Sequence, residues 1–168
     1  MAGQHMQLIA LTPAEVRGIL SGAALLECRG YPCVCGDLVP MVVAQCAVEG
    51  YRSGLDWFWY APRLFCDTSV GLIVGSGCFK GTPVLRHVEI GYGVAQAQEG
   101  RSYASAGVAR MVEEAFAHGG VDAILAETSV HNPASQRVLE KNGFHRTGRR
   151  EDPEDGLLIR WRCDFPQK

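Results

Sequence analysis

Three stretches of the sequence carry residue types that could do chemistry. The first is Val88-Glu89-Ile90-Gly91-Tyr92-Gly93-Val94, an apolar run with one carboxylate set into it. Glu89 reads as a solvated, outward-facing carboxylate, as one paired with Arg86, or as a general base whose partial burial lifts its pKa toward neutrality. Gly91 and Gly93 weaken a strand and often mark close approach by another backbone or a ligand. The second stretch is the loop Gln98-Glu99-Gly100-Arg101-Ser102-Tyr103-Ala104, which joins that run to a helix. A loop that opens a helix turns unpaired backbone N–H groups outward, and such groups favour a phosphate or pyrophosphate. Arg101 could add a charge-assisted contact. A Walker A motif does not fit, because the glycine spacing is wrong and Arg101 stands where lysine is needed; nor does a dinucleotide-binding fingerprint. The third stretch runs from His131 to Phe144. Asn132 can cap a helix there, Pro133 suits its first position and Gly143 ends it, which puts Ser135 in the first turn.

The elements that must position these residues follow from periodicity and turn chemistry. Residues 7–11 form a candidate first strand, with residues 1–6 set aside from the fold reading. Thr12, Pro13 and Glu15 make a capping signature for a helix from Pro13 to Leu20. Residues 21–37, rich in Gly and Cys, have no clear pattern. Met41, Ala44, Ala47 and Val48 suggest a helix within residues 38–51. The aromatic run from Trp57 to Phe65 reads as a strand, followed by a turn at residues 66–69. Residues 70–79 and 86–95 read as two more strands. Ala104, Val108, Met111, Val112, Ala115 and Phe116 give residues 102–118 the buried face of a helix, stopped by Gly119-Gly120. A strand at residues 121–130 precedes the Asn132 helix. Two strands end the chain, at residues 144–148 and 157–163, joined by an acidic turn at residues 151–156. Three consecutive strands argue for an antiparallel meander, and the strand–helix–strand step after them for a parallel crossing. The expected fold is α/β (α+β): a mixed, mostly antiparallel central sheet of about seven strands flanked by helices.

Composition narrows the function classes. The chain has 168 residues, enough for one domain with a substantial core, and residues 1–168 read as a single domain. The net charge of −2 gives no basic surplus, so a nucleic-acid partner is not expected. No apolar run reaches the roughly 18–20 residues that span a bilayer, and no signal peptide opens the chain, so no membrane partner and a cytoplasmic location are expected. Seven cysteines in such a chain suggest reduced thiols rather than a disulfide framework. Cys28, Cys33 and Cys35 are the tightest group, but their C-x4-C-x-C spacing is not a standard zinc pattern and no metal is expected.

The three stretches, in this order, resemble the GNAT superfamily of N-acetyltransferases, most closely the branch of ribosomal-protein N-terminal acetyltransferases. The matching residues are Glu89-Ile90-Gly91-Tyr92, Glu99-Gly100-Arg101-Ser102-Tyr103-Ala104, and Asn132 through Phe144. The resemblance implies acetyl-CoA as acyl donor, its pyrophosphate held by N–H groups of residues 98–104. It implies a pantetheine arm lying along Ile90, Tyr92, Gly93 and Val94 like an added strand, admitted by a splay between this strand and the next. N–H groups near residues 92–94 would polarise the thioester carbonyl. Asn132 would contact the pantetheine, Glu89 would deprotonate the acceptor amine, and Ser135 would protonate the leaving thiolate. The acceptor is then a primary amine, on a protein or a small molecule, and homodimer formation follows family habit.

Three positions depart from the family pattern. Glu99 replaces a usual Arg or Gln, Leu139 stands where many members have a tyrosine acid, and Ser102 replaces a usual glycine. If position 102 needs positive φ, serine costs about 1 kcal/mol. These departures motivate one alternative, a non-catalytic acyl-CoA-binding protein; a second, the same fold using another donor such as succinyl-CoA, stays open because the sequence does not size the pocket. The acceptor site is expected from residues 21–60 and the acidic turn, with the Trp57 to Tyr60 run serving either as core or as pocket wall.

Overall fold

The computed structural model describes residues 5–166. Strand β1 (Met6–Ala10) leads into helix α1 (Pro13–Leu20), a hairpin of two-residue strands β2 (Glu27–Cys28) and β3 (Tyr31–Pro32), and helix α2 (Met41–Arg52). Strands β4 (Arg63–Asp67), β5 (Leu72–Phe79) and β6 (His87–Val94) follow as an antiparallel meander. Helix α3 (Tyr103–His118), strand β7 (Ala123–Ser129), helix α4 (Pro133–Lys141) and strands β8 (His145–Asp152) and β9 (Gly156–Asp164) complete the chain. The seven-stranded sheet has the order β1-β4-β5-β6-β7-β9-β8, and only the β6–β7 pairing is parallel. This is the mixed, mostly antiparallel sheet that the element order implies.

Local chemistry explains the elements. The Thr12 side chain accepts from the Glu15 N–H, and the Glu15 carboxylate accepts from the Thr12 N–H, completing the capping box. One face of the sheet buries Phe65, Val88, Ile90 and Ile124 against Val108 and Met111 of α3. The other buries Leu64, Cys66 and Ile73 against Val16 of α1 and Ala44, Ala47 and Val48 of α2. Close approach of α3 depends on two missing side chains. A Cβ at Gly107 would lie 2.3 Å from the Phe65 ring, and one at Gly77 2.4 Å from the Met111 sulfur. That packing fixes where α3 begins, and hence where its free N–H groups point.

The aromatic run is not a strand. Trp57–Trp59 forms a single 3-10 turn, capped by Asp56, whose carboxylate accepts from the Phe58 N–H. Pro62 has no N–H for a sheet ladder, and β4 starts only at Arg63. The buried Arg63 guanidinium donates to the carbonyls of Phe58 and Ala61 and to the Glu114 carboxylate, lying against the Phe58 and Phe79 rings. One buried cation thus gathers the carbonyls that a strand would have given to its neighbours. Cys66 and Asp67 belong to β4 rather than to the turn, and β8 extends through Asp152, beyond its expected end. Met6, set aside with residues 1–5, begins β1 and is buried. Residues 1–4 lie outside the described residues.

All seven cysteines are free, and burial pushes the Cys33 thiol up to about 11. Among the described residues, no group of three or more His, Cys, Asp or Glu side chains could hold a metal ion.

Glu127 on β7 makes a paired contact with the Arg150 guanidinium, 2.7 Å at each oxygen. These bonds hold its carboxyl below the ordinary value of 4.5. A depressed carboxyl contributes stability that is complete above its unfolded pKa and lost as pH falls through its folded pKa. Between roughly pH 5 and 3 the melting temperature of the wild type therefore falls more steeply than that of Glu127→Gln. Parallel slopes in calorimetric scans would show that this pair is not coupled to folding.

Candidate functional site

The sheet opens between β6 and β7. Their parallel pairing covers only His87, Val88 and Glu89 against Ala123, Ile124 and Leu125. On its other side β6 stays paired to β5 as far as Val94. The Lys80 N–H donates to the Glu89 carbonyl and the Ala95 N–H to that of Val74, so odd-numbered residues of β6 bond toward β5. Ile90, Tyr92 and Val94 therefore turn their N–H and C=O groups into the opening. Ile90 has a buried side chain, so only its backbone is available. Gly93 lines the opening with no side chain, and its own N–H belongs to the β5 side.

The open edge runs into the start of α3. A short 3-10 turn at Gln96–Gln98 and the loop through Gly100 deliver the chain to Ser102, at φ 64°, ψ 10°. No side chain caps α3, and its first helical bond outside the cap is Ala106 N–H to Ser102 O. The N–H groups of Tyr103, Ala104 and Ser105 are thus left for a ligand, at the positive end of the helix. A cleft of about 470 Å³ joins these features, and Tyr92, Gly93, Val94, Gln98, Glu99, Gly100, Ser102, Tyr103, Ala104, Asn132 and Ser135 all line it. Arg101 is exposed and is not among the lining residues. The Tyr103 side chain is buried in the core, so the backbone is what position 103 offers the cleft.

Helix α4 forms the opposite wall. Asn132 Oδ1 accepts from the Ser135 N–H at 3.0 Å, which leaves the Asn132 amide group as a donor toward the cleft. Ser135 Oγ lies 2.8 Å from the Tyr92 phenol oxygen, which also donates toward the Ser135 carbonyl at 3.2 Å. Burial pushes the Tyr92 phenol above its ordinary pKa, so it keeps its proton at neutral pH. Leu139 is fully buried in the core and has no proton to offer.

Sequence reasoning missed the charge on this wall. Arg137 and Lys141 also line the cleft, with Ala134 and Val138 beside them. Their i, i+4 spacing after the Asn132 cap could have revealed them. Among the described residues neither makes an ion pair or hydrogen bond, and together they outweigh the Glu99 carboxylate in the same cleft. The arrangement suits a long anion with an extended polar arm: strand edge for the arm, helix start and two cations for phosphate.

Residues 46–145 match the family model described as the acetyltransferase (GNAT) domain. The chain belongs to the GNAT acetyltransferase family. No curated protein sequence matches it. Solved structures with the same fold include a spermidine N-acetyltransferase SpeG chimera from Vibrio cholerae and hSSAT, with TM-score 0.66, 16% identity, and coverage of 95% of this chain and 96% of that one. A ribosomal-protein-S5-alanine acetyltransferase from Vibrio fischeri has TM-score 0.65 at 14% identity, covering 95% and 93%. AAC(6')-Ib in complex with ribostamycin and coenzyme A has TM-score 0.63 at 18% identity, covering 95% and 93%.

Within this GNAT domain, Glu89 lies on the face of β6 opposite Tyr92 and Ser135. A Cβ at Gly91, on the Glu89 face, would meet the side chains of Lys80 and Cys78. Glu89 is about a third exposed and its carboxylate is ion-paired with Lys80, while Arg86 pairs instead with Asp122. The two candidate catalytic groups therefore flank the opening, one on each side of the sheet.

The left-handed Ser102 gives a direct prediction for this GNAT loop. Ser102→Gly relieves the conformational penalty and stabilises the protein by about 1 kcal/mol, raising Tm by roughly 2–4 °C. An unchanged or lowered Tm in differential scanning calorimetry would show that the loop carries no such strain.

Proposed function

We propose that this protein transfers an acetyl group from acetyl-CoA to a primary amine, with both bound at once on opposite sides of the β6–β7 opening. The observation that carries this reading is the continuity of the open β6 edge with the uncapped start of α3, walled by Arg137 and Lys141. Acetyl-CoA, when bound, supplies an acyl group activated as a thioester.

The N–H groups of Tyr92 and Val94 face the opening and are oriented to stabilise negative charge developing on a carbonyl oxygen there. An alkylammonium has a pKa of about 10 and must lose a proton before it can attack. Glu89, on the acceptor side, takes that proton directly or through a water. The arriving ammonium replaces Lys80 at the Glu89 carboxylate, one cation for another. On the other side, Ser135 Oγ gives its proton to the departing sulfur and recovers one from the Tyr92 phenol beside it. Leu139 is buried and offers no proton, which leaves this role to the hydrogen-bonded Ser135 and Tyr92 hydroxyls lining the cleft.

Calorimetry with CoA and a thiol-release assay with acetyl-CoA over a panel of amines test the reading. Binding together with amine-dependent thiol release is the expected result. Binding without turnover would replace it by acyl-CoA binding alone, and absence of binding would remove it.

A further inference from the structure

A second cavity of about 580 Å³ lies on the Glu89 face, between α2 and the end of β5. That volume is ordinary for a small-molecule site. One stripe of α2 forms its wall, with Val42, Val43, Cys46 and Ala47 in successive turns. Cys78 forms its floor, and Tyr60 closes one end, packed so tightly on the helix that a Cβ at Gly50 would lie 2.2 Å from its ring. Only two charged residues line it, Glu49 and Lys80, and they have opposite signs. Lys80 links the cavity to the reaction site, because its ammonium group is bonded to Glu89.

We propose that the acceptor is a primary amine carried on an apolar alkyl or arylalkyl body, which fills this groove and places its ammonium at Glu89. The inference rests on the acetyl-transfer reading and names the substrate class for the same site. Apolar walls favour a hydrocarbon body by about 0.8 kcal/mol per buried methylene. A polycation gains little here. Each additional ammonium would have to shed water beside mostly apolar side chains, in a groove that offers one carboxylate, Glu49, and holds the Lys80 ammonium as a like charge. This separates the chain from its structural neighbours whose names include spermidine and whose complexes include ribostamycin.

The test compares kcat/KM at saturating acetyl-CoA for straight-chain amines from butylamine to octylamine and for phenethylamine, beside spermidine, kanamycin and an alanine-led peptide. The expected result is a rise of about fourfold per methylene until the groove is full. The polycations fall about 100-fold or more below the best alkylamine. Cys46→Glu, a substitution at an exposed groove position, lowers the best alkylamine at least about tenfold, because it puts an unpaired carboxylate against the chain. CoA affinity stays unchanged in that variant, and Val42→Glu serves if it does not fold. A flat response to chain length, or a preference for spermidine, kanamycin or the peptide, overturns the apolar acceptor and leaves the transferase standing. No turnover with any amine overturns both.

Discussion

Glu89→Gln lowers kcat/KM for an amine acceptor by about 10²–10⁴-fold, the range expected when a positioned general base is removed. The amide keeps the shape of the carboxylate but cannot accept a proton. CoA affinity measured by calorimetry stays the same, because Glu89 lies across the sheet from the cleft that the cofactor would occupy. A pH profile separates this loss from a structural one. With the base in place the protonated amine can be used, whereas the residual rate of the variant follows the free-amine fraction alone. The Lys80 pairing makes a further distinction. Lys80→Met removes the resting partner of Glu89 without removing the base, so its effect falls mainly on KM. Full activity in Glu89→Gln would assign deprotonation to another group or to bulk water.

Replacing both Arg137 and Lys141 by alanine weakens CoA binding by roughly 100-fold, about tenfold for each charge-assisted hydrogen bond to phosphate that disappears. Both residues line the cleft and have no partner among the described residues, so their removal breaks no internal pair. The remaining N–H groups at the start of α3 still favour an anion, which is why binding is reduced and not abolished. The affinity of the variant also depends less on salt, since fewer mobile charges contribute to it. Glu99 provides the opposite case in the same cleft, where neutralising it removes a repulsion. Unchanged affinity and salt dependence in the double variant would place the phosphates elsewhere.

Much of this architecture was readable from spacing alone. Capping residues and glycine stops located α1, α3 and α4 within a residue or two, because helix ends are decided by local hydrogen bonds. The order of elements implied the meander and the parallel crossing. The aromatic run misled for a physical reason: its conformation is set by Arg63 and by the Asp56 cap, through interactions that β-propensity does not contain. The same holds at the site. The cleft-lining residues of β6 and the loop, together with Asn132 and Ser135, could be named from motif position, whereas Arg137 and Lys141 were not, and Ser102 was readable as a residue under strain if its φ is positive. The Tyr92–Ser135 hydrogen bond could not, since it joins residues 43 apart in sequence across two elements. Glu89 gave three readings by itself, and the structure adds a different partner, Lys80, that arises only when β5 and β6 are in register. The groove between α2 and β5 was least legible, because it forms where α2 settles against the strand.

The narrow junction between β6 and β7 has a consequence for how the molecule breathes. Three residue pairs make up the strand pairing that joins the β1-β4-β5-β6 half of the sheet to the β7-β9-β8 half. Elsewhere the halves are held by α3 and the core beneath it, by the Arg86–Asp122 ion pair and by the Tyr92–Ser135 hydrogen bond. A ligand arm lying along β6 would act as a temporary eighth strand and bridge the gap. Its binding free energy would then also be cohesion, by the mass-action rule that a ligand held only by the native form raises stability with concentration. The domain would tighten as the ligand pool fills and loosen as it drains, along the seam between the two halves of the sheet.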